Sequence, residues 1–220
     1  MHLTNTDGAI NWSALKSRPS QVFLGSLVVP RRPCGLTGLR ELDLNGIKVT
    51  DAGLVHLKGL TKLEHLHLDK TQVTDAGLAH LKAMTGVQEL ALSYTQVTDA
   101  GLVHLAGMTK LTRLNLRGTQ VTGAGLVHLK GMTDLQELIL FDTQVTDAGL
   151  VHLEGMKELK ELILFDTQVT DAGLVHLEGM KGLKTLDLNK TKITDAGLKN
   201  IQQALPTCRI PKFANWNFPG

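Results

Sequence analysis

The sequence predicts a right-handed α/β solenoid with a curved parallel sheet on its concave face and short helices on its convex face. Three observations carry this reading. The frame Leu-x-x-Leu-x-Leu begins at Leu39, Leu63, Leu111, Leu135, Leu159 and Leu183, with Val87 in the one remaining start, so the interval is always 24 residues. Each start leads into a second motif, of which residues 71–78 and 167–174 both read TQVTDAGL. Residues 137–157 and 161–181 are identical, ELILFDTQVTDAGLVHLEGMK. Self-similarity at a fixed period of this length is the mark of stacked repeats. Seven of them are expected over residues 36–206, between an N-terminal cap at 1–35 and a C-terminal cap at 207–220.

The elements follow in chain order. In the N-terminal cap, Val22, Leu24, Leu27 and Val29 mimic the apolar positions of a shortened coil, and the polar stretch 31–34 leaves little room for its helix. Within each repeat the first part alternates apolar and polar, as in Leu66-His67-Leu68, which predicts a short strand with one buried and one free face. Thr74 then offers a hydroxyl cap, with Asp75 in the first turn, and Leu78 and Leu81 fall three apart before a glycine-type stop such as Gly107. That is a short helix. Gly77 sits inside it at a cost of about 0.8–1.0 kcal/mol relative to Ala, so it is read as a packing glycine. At the far end, residues 205–210 begin one more strand and stop, while Trp12, Phe23, Phe213, Trp216 and Phe218 are expected to seal the open ends of the core.

A lone unit buries few side chains (Leu63, Leu66, Leu68, Val73, Leu78, Leu81, Met84) against the backbone entropy of 24 residues, so it cannot fold by itself. Stacking lets every unit share its core with two neighbours. Thr71, Thr95, Thr119, Thr143, Thr167 and Thr191 then form an internal column, expected to bond the backbone of the adjacent coil, with Ile47 interrupting it at the first. Composition agrees with a globular chain: 42% of 220 residues are hydrophobic and 20% charged, and a net charge of +2 gives no basic surface that seeks nucleic acid. The longest strongly apolar run, residues 22–29, is far short of the roughly 20 residues that cross a bilayer, so no membrane insertion is expected. That run lacks the features of a secretory signal, and Cys34 and Cys208 form no disulfide framework, which favours the cytoplasm.

The frame Leu-x-x-Leu-x-Leu followed by Thr-x-Val-Thr-Asp-Ala-Gly-Leu resembles the leucine-rich repeat family, in the short-helix version found in multi-copy bacterial proteins. The resemblance covers about three quarters of the chain. It implies a binding scaffold. The Thr-Asp-Ala-Gly-Leu segment is also similar to the repeats of F-box leucine-rich proteins, which implies substrate recognition for a ubiquitin ligase as an alternative.

Two sets of histidines invite a metal reading. His56, His80, His104, His128, His152 and His176 recur at one helical position, but each coil supplies one such group and adjacent helices stand about 8–10 Å apart, too far for a zinc site. No chemistry is assigned to that column. His65 and His67 share the open strand face with Asp69, beside Glu41, Asp43 and Glu89 on neighbouring strands, so a metal or small-ligand site there is a second alternative to a solvated patch.

The open face of later coils is more distinctive. Tyr94 follows one strand, and Arg113, Asn115 and Arg117 occupy the next. Ile139 with Phe141 and Ile163 with Phe165 follow, each pair trailed by an acid, Asp142 or Asp166. Because Leu138, Leu140, Leu162 and Leu164 already fill the core positions, these four apolar side chains are expected on the open face as one exposed patch. Aromatic and arginine side chains are the commonest interface anchors. These ten residues are therefore the candidate partner-binding set, and the expected partner is a protein, with self-association through the same patch as a further possibility. No catalytic or cofactor motif is present, and no cofactor or catalytic residue is predicted.

Replacement of His104 or His128 by Gln is expected to leave structure and binding nearly intact. Loss of a stoichiometric bound metal, measured by elemental analysis of either variant, would contradict this.

Overall fold

The computed structural model describes residues 21–23 and 38–211. Its eight strands are β1 (Gln21–Phe23), β2 (Glu41–Asp43), β3 (His65–His67), β4 (Glu89–Ala91), β5 (Arg113–Asn115), β6 (Glu137–Ile139), β7 (Glu161–Ile163) and β8 (Thr185–Asp187). They form one parallel sheet in chain order, open and curved, as right-handed crossovers require. The register places Leu42, Leu66, Leu90, Leu114, Leu138, Leu162 and Leu186 in one line, all fully buried. At the N-terminal edge Val22 stands opposite Leu42, only 20 residues away rather than 24, as a shortened coil demands. The remaining cap positions, Trp12, Leu24, Leu27 and Val29, and the C-terminal Phe213, Trp216 and Phe218, lie outside the described residues. At the other edge a single bridge joins Thr185 to Arg209, with Leu205 and Cys208 buried beneath it.

The return arm is tighter than a plain α-helix. One α-turn, such as Asp75–Leu78 or Asp99–Leu102, passes into 3₁₀ geometry, as at Val103–Leu105, and in two coils (Gly123–Leu129, Asp171–His176) the whole arm is 3₁₀. The bonds run three residues back: Leu81 N–H donates to Leu78 O at 2.9 Å and Met84 N–H to Leu81 O at 2.8 Å. Three residues per turn stack side chains spaced three apart, and Leu78, Leu81 and Met84 have that spacing. All three are buried. Among the described arms only Asp195–Ala204 becomes a full α-helix, and the buried Ile201 and Leu205 at its end are four apart.

Threonine and aspartate fasten each coil to the next. The Asp75 carboxylate accepts from the Thr98 backbone N–H at 2.8 Å and from its hydroxyl at 2.7 Å, and the Thr98 hydroxyl oxygen in turn accepts from Ala100 N–H at 3.3 Å, capping the arm. The same clamp joins Asp51 to Thr74, Asp99 to Thr122, Asp147 to Thr170 and Asp171 to Thr194. Gly123 stands where the next aspartate would be, and Thr146, opposite it, makes no cap bond. There the backbones of Gly123 and Gly149 close onto each other instead.

The internal threonine column differs from expectation. Each hydroxyl bonds within its own coil, three residues back, as Thr119 does to Leu116 O at 2.7 Å and Thr95 to Leu92 O at 2.7 Å. The cause is a tight turn at the end of each of the strands β2–β8, whose third residue has positive φ: Gly46, Lys70, Tyr94, Gly118, Asp142, Asp166 and Lys190. The turn folds the threonine back over its own strand, out of reach of the adjacent coil.

The packing-glycine reading is explained by the clamp. A Cβ on Gly101 would fall inside the contact radius of Asp75 Oδ1 and lie 3.1 Å from Leu78 Cδ1. Gly101→Ala should therefore displace a carboxylate held by two hydrogen bonds and cost about 1–3 kcal/mol, read as a lower denaturation midpoint. An unchanged midpoint would show that the clamp contributes nothing.

Candidate functional site

Strand alternation sends the leucines inward and leaves three rows of side chains across the concave face. The first row is Glu41, His65, Glu89, Arg113, Glu137, Glu161 and Thr185, brought together by register alone. Glu89 collects its neighbours: His65 Nδ1 at 3.1 Å, His67 Nε2 at 3.5 Å and Arg113 Nη1 at 3.6 Å. Arg113 Nε also donates to Glu137 at 2.8 Å. The His65/His67 cluster thus closes around one carboxylate. Asp69 does not join it, since its Oδ1 accepts from Ser93 N–H at 2.6 Å. Among the described residues no group of three or more histidines, cysteines or acids is arranged to hold a metal ion. The six helical-position histidines are half-buried along the convex side, one per coil.

The aromatic residues are not the open patch that alternation predicts. Phe165 is only 4% exposed. Its ring meets Phe141 edge-on at 4.5 Å and 71°, and Lys190 Nζ covers it at 5.1 Å. Arg117 lies 4.3 Å from the Phe141 ring and 5.0 Å from that of Tyr94, so one guanidinium is held between two aromatic rings. Tyr94 remains 40% exposed and its ring lies over Gly118, where a side chain of any size would collide with it. The physical reason is lateral packing. On a concave sheet long side chains lie down on the next strand rather than stand into solvent. Phe165 therefore serves as the support beneath Phe141, and the exposed acids Asp142 and Asp166 sit at the left-handed turn position beside them.

Between the aromatic row and the charged row lies a hollow of about 380 Å³. Ile139, Ile163 and Phe141 give it an apolar floor, with Asn115 and Arg117 at one end. Glu161, Thr185, Asp187, Arg209 and Pro211 complete it, and none of these five was singled out from sequence. The exact duplication did carry a signal for Glu161, because it sets two glutamates side by side on β6 and β7. Arg209 and Pro211 carried none, since they follow the last repeat. Tyr94, Arg113, Asp142, Phe165 and Asp166 surround the hollow without lining it. Burial first, and the neighbouring Glu137 charge second, push the Glu161 carboxyl above its ordinary value, opposed by Arg113. Asp187 is buried but satisfied, accepting from the Asn189 backbone at 2.9 Å and side chain at 2.6 Å. No helix among the described residues is long and apolar enough to cross a membrane.

Comparison with known proteins agrees with this architecture. Residues 157–200 match the family model described as leucine rich repeats in two copies, and residues 59–81, 85–106 and 107–129 each match that of a single leucine rich repeat. No curated protein matches the chain significantly. Among solved structures, an internalin (inlF) of Listeria monocytogenes is 27% identical with a TM-score of 0.70, over 82% of this chain and 49% of that one. Internalin C2 of the same organism is 26% identical with a TM-score of 0.69, over 94% and 87% of the two chains. A leucine-rich repeat protein of Leptospira interrogans, 21% identical over 80% of this chain and 55% of that one at a TM-score of 0.54, shares the fold. The chain thus spans about half the length of the first of these and most of the second.

The raised Glu161 carboxyl has a pH signature. Its folded value exceeds the unfolded one, so folding is penalised once pH rises above the unfolded value, and the penalty is complete above the folded value. Glu161→Gln should raise the melting temperature at pH 7 and lose that advantage below about pH 4, where both forms are neutral. An advantage independent of pH would assign the effect to packing instead.

Proposed function

Because the chain is a leucine-rich repeat protein, we propose that it acts as a protein-binding module whose partner docks on the concave sheet across β4–β8. The fold is commonly an interaction scaffold and typically a non-enzymatic one. The observation that carries the proposal is the apolar hollow, floored by Ile139, Ile163 and Phe141 within a face that is otherwise charged or polar. An apolar centre with a polar rim is the usual anatomy of an interface. Tyr94 and Arg117, stacked together at its edge, are of the two residue types that most often carry binding energy, and the stack fixes both side chains before a partner arrives. Arg113, Asn115, Asp142 and Asp166 form the rim, and Phe165 holds Phe141 in place from beneath. No observation favours the ubiquitin-ligase or metal-binding alternatives over this reading.

A photo-crosslinking residue at position 139 in the hollow, compared with one at Val151 on the convex side, tests the proposal in extracts of the source cell. The expected result is a discrete protein adduct from position 139 and none from position 151. Adducts from the convex position alone, or equal smears from both, would move the binding face elsewhere.

A further inference from the structure

The duplicated segment sets Glu137 and Glu161 directly opposite each other on adjacent parallel strands, which run about 4.8 Å apart. Like charges at that spacing need a cation each. Arg113 serves the first, at 2.8 Å from Glu137. For the second, the flanking strand β8 offers only Thr185, and among the described residues the Glu161 carboxylate has no hydrogen bond and no ion pair within 4 Å, feeling Arg113 only at longer range. Two residues along β7 lies Ile163, with Ile139 beside it in register, so the apolar floor of the hollow begins where this carboxylate ends.

We propose that Glu161 receives the cationic head of a lysine or arginine side chain of the protein partner, with the aliphatic stem of that side chain lying along Ile139 and Ile163. This deepens the concave-face reading and rests on it. The dimensions agree: two residues of strand span about 6.6 Å, close to the reach of a four-carbon stem that covers apolar surface while its head seeks charge. Charge complementarity fixes which end goes where. Arg117 at the far end of the floor is already held between Tyr94 and Phe141, and Arg209, two strands beyond Glu161, repels a second cation from that edge. The cation therefore settles at the row of acids rather than at either arginine. The attraction of a cation there also offsets the burial and the Glu137 repulsion that raise the Glu161 carboxyl.

The test uses the full chain and three capped tripeptides, Ac-Leu-Lys-Leu-NH₂, the same peptide with norleucine in place of lysine, and the same with glutamate. Methyl NMR follows Ile139 and Ile163, and carboxyl carbon NMR follows the titration of Glu161. The lysine peptide is expected to shift both isoleucine methyls saturably and to lower the Glu161 midpoint, and Glu161→Gln should weaken it about fivefold while leaving the norleucine peptide unchanged. Equal binding of the glutamate peptide, an unmoved Glu161 midpoint, or undiminished lysine binding by Glu161→Gln would each overturn the assignment. If position 139 still yields a protein adduct in those cases, the concave face remains the binding face and only the basic side chain is wrong. If the lysine peptide behaves as expected but no protein adduct forms, the subsite stands and the choice of face for the macromolecule falls.

Discussion

Every coil must close onto its neighbour at the spacing of one parallel strand, because no 24-residue unit has a core of its own. The rest of the molecule answers to that constraint. Each side chain meets its own counterpart one repeat away, so a position that is leucine in one coil is leucine in the next, from Leu42 through Leu186. The return arm must be slim enough to stack at that spacing, and 3₁₀ geometry supplies a tighter, narrower chain whose side chains stack at intervals of three. Glycine within the arm makes room for the aspartate of the preceding coil, whose carboxylate fastens the threonine of the following one. Sheet, arm and clamp are three consequences of one spacing.

Where the repeat departs from itself, the structure changes locally and the departure has a reason. Gly123 lacks the carboxylate, so Thr146 loses its cap and the two backbones approach each other. In the arm at Asp195–Ala204 the buried residues shift to a four-residue interval that a full α-helix can use. On the concave face the departures are chemical rather than geometric. The early coils carry histidines and acids gathered around Glu89, whereas β6 and β7 carry paired isoleucines and a pair of glutamates of which only Glu137 has a cation in contact. A stacked repeat turns a duplication into a surface. Copying one segment produced two adjacent apolar side chains, two phenylalanines packed edge-on and two neighbouring carboxylates at once.

The family and the solved structures agree on a scaffold, and the internalin matches are similar in architecture at about a quarter identity. Their likeness lies in the coil, since the frame leucines and the arm set the shape of the stack. The concave rows are free of that duty, because nothing in the core depends on whether position 139 is isoleucine or asparagine. Binding chemistry can therefore vary from one such chain to another while the fold stays fixed.

The 24-residue interval, the strand alternation and the Thr-Asp pair were enough to determine the solenoid, its parallel sheet and the buried leucines, since each depends only on local periodicity and on the inability of one unit to fold alone. The left-handed turn was not anticipated, although Gly46 and Gly118 mark the position that Tyr94, Asp142 and Asp166 share. What only the tertiary structure decided is how side chains lie across strands. Alternation says that Phe165 points to the open face, but whether it stands in water depends on Phe141 and Lys190, which are 24 and 25 residues away and lean over it. Arg209 and Pro211 reach the hollow because the chain passes the sheet edge once more after the last repeat, where the sequence has stopped repeating. Periodicity fixes which face a residue occupies. Contact between neighbouring strands decides whether that face is surface, support or site.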